Sequence, residues 1–283
     1  MVFLAIILAV LLFQVWGTAE RVHFDGWLTD WQARVAGWGL PAGAGLLVLV
    51  LLPSMIVLLL LNIVEPLLFG LLWLPLAALL LLYSFGRGDF QASMGRYRGH
   101  AYGGDFEAAY LTACEDFGWN DADAAPETAP EVHAMVQRAL LYEGLQRWFS
   151  VLFYFVLLGP AAALAYRLLQ LCRDSFEPEL AGRWLFLLDW IPARLLAATF
   201  ALTGDFIGSR EQLLSGLQDT AADAGKLLYT VAAAALGSEV ASPSEEDAVF
   251  GPVAEAQNRE LDALLSRSAV CWIVAMALVV LLL

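Results

Sequence analysis

Apolar residues come in long blocks along this chain, and polar residues gather between them. A helix that crosses a bilayer needs about 20 mostly apolar residues. The blocks at 42–61, 63–84, 148–171 and 184–207 meet that length. The first two adjoin at Asn62, with Glu65-Pro66 just beyond, which predicts a tight helical hairpin. Residues 1–16 and 268–283 are apolar but shorter, and are predicted as anchors. The opening block has no basic leader and no small-residue cleavage site, so it reads as a retained anchor rather than a signal peptide. A further stretch, 224–237, is too short to span and is either interfacial or packed in a groove.

Two polar segments, 85–147 and 208–266, separate these blocks. In the first, Gly103 and Gly104 signal a turn, and Asp105 is placed to cap a short helix. After the acidic run "WNDADAAPETAP", Thr128 to Glu131 reads as a helix start, with a proline and an acid in the first turn. No breaker follows until Gly159-Pro160, so one helix is predicted to run from the aqueous phase into the membrane. The second segment opens with the polar run "SEVASPSEEDAVFGP", predicted to be mobile, and continues as the amphipathic stretch "VAEAQNRELDALLSRS".

Composition agrees with the pattern. The chain is 60% hydrophobic, where a soluble domain is about 45–50% apolar. The fold class is therefore an all-α polytopic helical membrane protein with amphipathic cytosolic helices, expected to form one integral membrane domain over 1–283. Membrane lipids are its first partners. The net charge of −14 argues against nucleic acid. With the N-terminus outside, eleven of the fifteen basic residues, among them Arg21, fall on the cytoplasmic side. That bias predicts a multi-pass protein of the bacterial inner membrane, with both polar segments in the cytoplasm. Three widely spaced cysteines form no disulfide framework. The three histidines show no metal-ligand spacing, and no metal site is expected.

Candidate chemistry lies where polar groups enter apolar blocks. In "LLDWIPARL", Asp189 and Arg194 flank Pro192 inside a predicted span. A charge at a helix centre costs roughly 2.5–3.5 kcal/mol on insertion scales, so such residues face protein or water. Pro192 lacks an N–H and leaves a carbonyl near Leu188 without its helical donor. The expectation is that the proline breaks the helix, and that Asp189 and Arg194 satisfy the exposed groups or a ligand. In "EGLQRWFS", Glu143, Gln146, Arg147 and Ser150 recur on one helical face at the mouth of the next span. Tyr166, Gln170 and Trp190 complete the candidate ligand-binding set. Arg87, Arg96 and Arg98, with Tyr97 between the last two, form a basic cluster suited to phosphates or anionic head groups. The plain alternatives are a packed ion pair, a solvated helix end and a topology signal. No P-loop, G-x-S-x-G or H-E-x-x-H pattern is present.

"FYFVLLGPAAALAYRLLQL" and "LLDWIPARLLA", together with "GDFEAAYLTA", the helix bearing Glu143 and the C-terminal anchor, resemble the AmpE family of inner-membrane proteins. That resemblance implies a signalling modulator of β-lactamase induction, linked to cell-wall recycling. The Asp189–Leu195 motif is also similar to "N-[WY]-I-P-A-R-L" of the CobD/CbiB-type membrane synthases of cobalamin assembly. Those synthases carry an acid-and-amide stretch where this chain has "EGLQRW", and only Glu143 matches. A second such stretch stands where this chain has "LLQLCRDS", with Gln170 replacing the amide residue and Asp174-Ser175 matching only after an insertion. A retained fold with a depleted site implies a non-catalytic regulator that binds a ligand in a pocket between helices, not an enzyme. The rivals are a cobinamide-phosphate synthase-like enzyme using ATP and Mg²⁺, and a binder or carrier of a lipid or cell-wall fragment. The sequence names no cofactor. It admits a small anionic ligand or nucleotide, and a protein partner in the membrane.

Overall fold

The computed structural model describes the chain except residues 17–21, 89, 118–125, 127, 174, 238–246 and 283. Arg21, Asp174, most of the acidic run before Thr128 and the opening of the second polar segment therefore lie outside the described residues. All regular structure among the described residues is helical, as the apolar blocks require. Three helices among the described residues are long and apolar enough to cross a membrane: α3 (Ala42–Val64), α10 (Pro178–Thr203) and the apolar part of α13 (Asp247–Leu282). In a bilayer every backbone polar group must bond internally, which only helices and closed barrels achieve.

The chain divides into two compact units. The first comprises residues 1–88, 146–192 and 275–283. It contains α1 (Val2–Trp16), α2 (Gly26–Ala36), α3, α4 (Trp73–Ser84), α8 (Ser150–Leu158), α9 (Pro160–Cys172) and the first half of α10. Two predicted spans are subdivided here. Residues 63–84 hold the end of α3, a 3₁₀ turn at Leu67–Gly70 and the 12-residue α4. Asn62 lies inside α3 instead of separating two helices. Residues 148–171 become α8 and α9, each shorter than a bilayer crossing, because the chain reverses at Gly159. That glycine sits at φ 91°, a conformation costly to any residue with a Cβ. The reversal stacks Tyr154 on Tyr166, with ring centroids 5.4 Å apart.

Helix α2 has no counterpart among the predicted elements. Its apolar positions Leu28, Trp31 and Val35 follow helical spacing and turn toward the core. Trp31 also donates its indole N–H to the carbonyl of Leu49, 3.3 Å away. Leu49 is four residues before Pro53 of α3, so its carbonyl is the one that Pro53 leaves without a helical partner. At the end of α4, Arg87 binds both carboxylate oxygens of Asp25, at 2.6 and 2.8 Å, and lies over the Tyr83 ring. Tyr83 donates its hydroxyl to the same carboxylate.

The second unit comprises residues 89–145 and 193–274. Asp105 and Thr128 cap α6 (Phe106–Phe117) and α7 (Ala129–Gly144), as their positions in the sequence predict. Helix α5 (Phe90–Tyr102) buries Phe90, Met94, Tyr97 and Ala101, spaced to form one face. The stretch at 224–237 forms α12 (Ala224–Ala235), which is packed against α7 and α11 (Phe206–Gln218) with Leu227, Leu228 and Val231 buried. The amphipathic stretch and the apolar tail join in the single 36-residue helix α13.

Candidate functional site

The polar centre of the first unit is Asp189, fully buried on α10. Its carboxylate accepts hydrogen bonds from Tyr166 Oη at 2.6 Å, Gln146 Nε2 at 2.9 Å and Ser150 Oγ at 3.1 Å. Gln170 extends the network by donating to Gln146 Oε1 at 2.8 Å. Its own buried Oε1 accepts no hydrogen bond. Gln146 and Ser150 are themselves fully buried. An unpaired polar group buried this way costs roughly 1–3 kcal/mol, so the donors around Asp189 are what permit its place in an apolar core.

Local backbone geometry selects these donors. The helix of α7 passes into α8 through a π turn at Leu145–Phe149. The turn's i→i+5 hydrogen bonds shift the register that a regular helix would keep. Gln146 and Ser150 reach Asp189, whereas Arg147 packs on the turn at residues 86–88 and donates to the Gly88 carbonyl at 3.1 Å. A Cβ at Gly86 would fall 2.2 Å from Arg147 Cγ, so that glycine is what admits the arginine stem. The residues of the polar face predicted for "EGLQRWFS" fall in both units. Gln146, Ser150 and Arg147 belong to the first unit, and Glu143, half-buried on α7, belongs to the second.

Pro192 does not break its helix, as the sequence suggested; α10 continues through it to Thr203. The physical reason is a replacement donor. Tyr154 Oη donates to the Leu188 carbonyl at 2.7 Å, the group four residues before the proline. Arg194 serves a different acceptor. It is buried in the second unit and donates to the Asp219 carbonyl at 2.6 Å, at the C-terminal end of α11. Trp190 is half-buried on α10.

The three arginines proposed for phosphate each pair with a carboxylate of their own unit. Arg87 belongs to the first unit and is held by Asp25. In the second unit Arg96 pairs with Asp116 of α6 at 2.5 Å, and Arg98 pairs with Asp262 of α13. Two residues apart on α5, they point to different helices because a helix turns about 100° per residue.

Beside the Asp189 network lies a cavity of about 250 Å³ lined from α3, α8, α9 and α10. Its lining is apolar apart from Tyr154, Tyr166 and Trp184. Asp189, Gln146, Tyr166 and Gln170, singled out in the sequence, lie in one hydrogen-bonded network, and Tyr154, which the sequence did not single out, lies beside it. The signal available for it was the spacing of Gly159 between two tyrosines, which a reversal brings face to face.

Neither the curated proteins nor the solved structures offer a match to this chain. One family model does match, described as "Regulatory signalling modulator protein AmpE", over residues 1–281. Because that match runs through nearly the whole chain, including Asp189, its donors and both units, the protein belongs to the AmpE family of regulatory signalling modulators.

Proposed function

We propose that the protein is a non-catalytic, multi-pass regulator of the bacterial inner membrane, and that it modulates β-lactamase induction through a ligand held beside Asp189. The observation that carries this reading is the engagement of Asp189 by Gln146, Ser150 and Tyr166 in a fully buried setting. Such a carboxylate is fixed and shielded, which suits it to holding two helices in one arrangement rather than to taking part in a reaction. The neighbouring cavity gives a ligand a place from which to bias that arrangement. A ligand shifts an equilibrium only by its differential affinity for the two states. An ATP-dependent synthase would instead need carboxylates available to metal and nucleotide.

The test is induction of β-lactamase in cells whose own copy is replaced by the Asp189→Asn variant, at matched abundance in the membrane. The amide brings N–H groups to face the donors of Gln146, Ser150 and Tyr166. Induction should then shift toward that of cells lacking the protein. Unchanged induction with Asp189→Asn, alongside a clear change on deletion, would refute a role for the Asp189 network.

A further inference from the structure

We propose that the cavity beside the Asp189 network holds one acyl chain of a bilayer phospholipid, admitted sideways from the membrane. This names the ligand class for the regulatory reading above and rests on it. Three observations carry the assignment.

The first is chemical. The only hydroxyls in the lining belong to Tyr154 and Tyr166, and both are already donated, to the Leu188 carbonyl and to Asp189. The rings stack and offer hydrocarbon to the cavity. A charged or sugar-like ligand would lose its hydration there without replacement bonds, whereas a methylene chain entering from the bilayer exchanges one apolar surrounding for another at no such cost. The small anionic ligand or nucleotide admitted by the sequence is therefore a poor match for this space.

The second is size. Pockets for drug-sized molecules are about 300–1,000 Å³, and this cavity is about 250 Å³. The space takes part of one chain and not a whole lipid.

The third is access. The lining residues that remain exposed are Leu47, Leu51, Leu158 and Trp184. Leu47 and Leu51 stand on α3, the most apolar of the three helices able to span a membrane. The mouth is therefore apolar and set on a lipid-facing helix, open to acyl chains and not to water.

The experiment uses the full-length protein in nanodiscs containing a phosphatidylglycerol with a diazirine at the end of one acyl chain. After irradiation, labelled residues are mapped by peptide mass spectrometry. Adducts should concentrate on the segments 154–169 and 184–188. Ala165→Trp, which fills the cavity, should lower labelling there at least fivefold. Leu59→Trp, exposed on α3 but outside the lining, should leave it unchanged. If Ala165→Trp fails to fold, Leu51→Trp at the mouth replaces it with the same expectation. Adducts spread evenly over lipid-facing helices would overturn the proposal, as would undiminished labelling in the filled variant. Loss of labelling on adding an equal amount of a polyprenyl phosphate would overturn the acyl assignment in favour of an isoprenoid chain. If labelling fails while Asp189→Asn still alters induction, the ligand class falls and the regulatory reading stands. If labelling succeeds while Ala165→Trp induces normally, the ligand stands and its regulatory role falls.

Discussion

Replacing Tyr154 by Phe deletes one hydroxyl that donates to a carbonyl which Pro192 has deprived of its helical donor. The consequence depends on the proline. With Pro192 present, Tyr154→Phe strands the Leu188 carbonyl in apolar surroundings, and a buried unsatisfied group costs about 1–3 kcal/mol. With Pro192→Ala the backbone N–H of residue 192 returns and bonds Leu188 itself. The tyrosine hydroxyl is then redundant, and its loss should cost about 0.5 kcal/mol or less, like an ordinary conservative change. The two substitutions should couple by about 1–2 kcal/mol, well outside the roughly 0.3–0.5 kcal/mol scatter of independent sites. The assay is reversible unfolding in mixed micelles, followed by helical circular dichroism, for the wild type, both single variants and the double variant. Equal losses from Tyr154→Phe in the two backgrounds would show that the tyrosine does not stand in for the missing N–H. The same cycle on Trp31→Phe and Pro53→Ala is an independent trial, since Trp31 caps the carbonyl that Pro53 leaves on Leu49.

The buried histidine of the second unit, His133, sets a pH response. Burial lowers the pKa of His133 to about 4, partly offset by the Gln257 side chain, which stops short of full hydrogen-bond geometry with the ring. The unfolded chain takes up this proton below about pH 6.5 and the folded chain only below about 4. Stability should therefore be complete above pH 6.5, fall toward pH 4 and level off, by at most about 3 kcal/mol. His133→Gln should remove most of that slope, and an unchanged slope would assign it elsewhere. Gly204→Ala would place a Cβ 2.6 Å from the Ala235 carbonyl oxygen, so the join between α10 and α11 must shift. A loss of about 1–3 kcal/mol is expected, and a neutral result in thermal unfolding would show that the join yields. For topology, Glu107→Cys and Glu260→Cys in a cysteine-free background should react with an impermeant maleimide only after the inner membrane is opened. Labelling of either in sealed spheroplasts would reverse the assigned orientation.

Most of what was legible in the sequence depends on near neighbours along the chain, although helix α2 escaped it. Apolar block length marked α3 and α10 as membrane helices, because span length follows from bilayer thickness. Thr128 and Asp105 announced the starts of α7 and α6, because a capping side chain bonds an N–H two or three residues ahead. Asp189 stood out because an acid in an apolar block demands partners. The identity of those partners was decided only by tertiary structure. Ser150 and Tyr166 lie 39 and 23 residues from Asp189, and a reversal at a single glycine together with one π turn brings them to it. Pro192 predicted a missing hydrogen bond correctly but not its remedy, since the donor comes from Tyr154, 34 residues from Leu188. The arginines show the same limit from the other side. Closeness along the chain suggested one basic cluster, and the acid that each arginine meets within its own unit, Asp25, Asp116 or Asp262, was not legible there, because it depends on the side chain's direction on its helix.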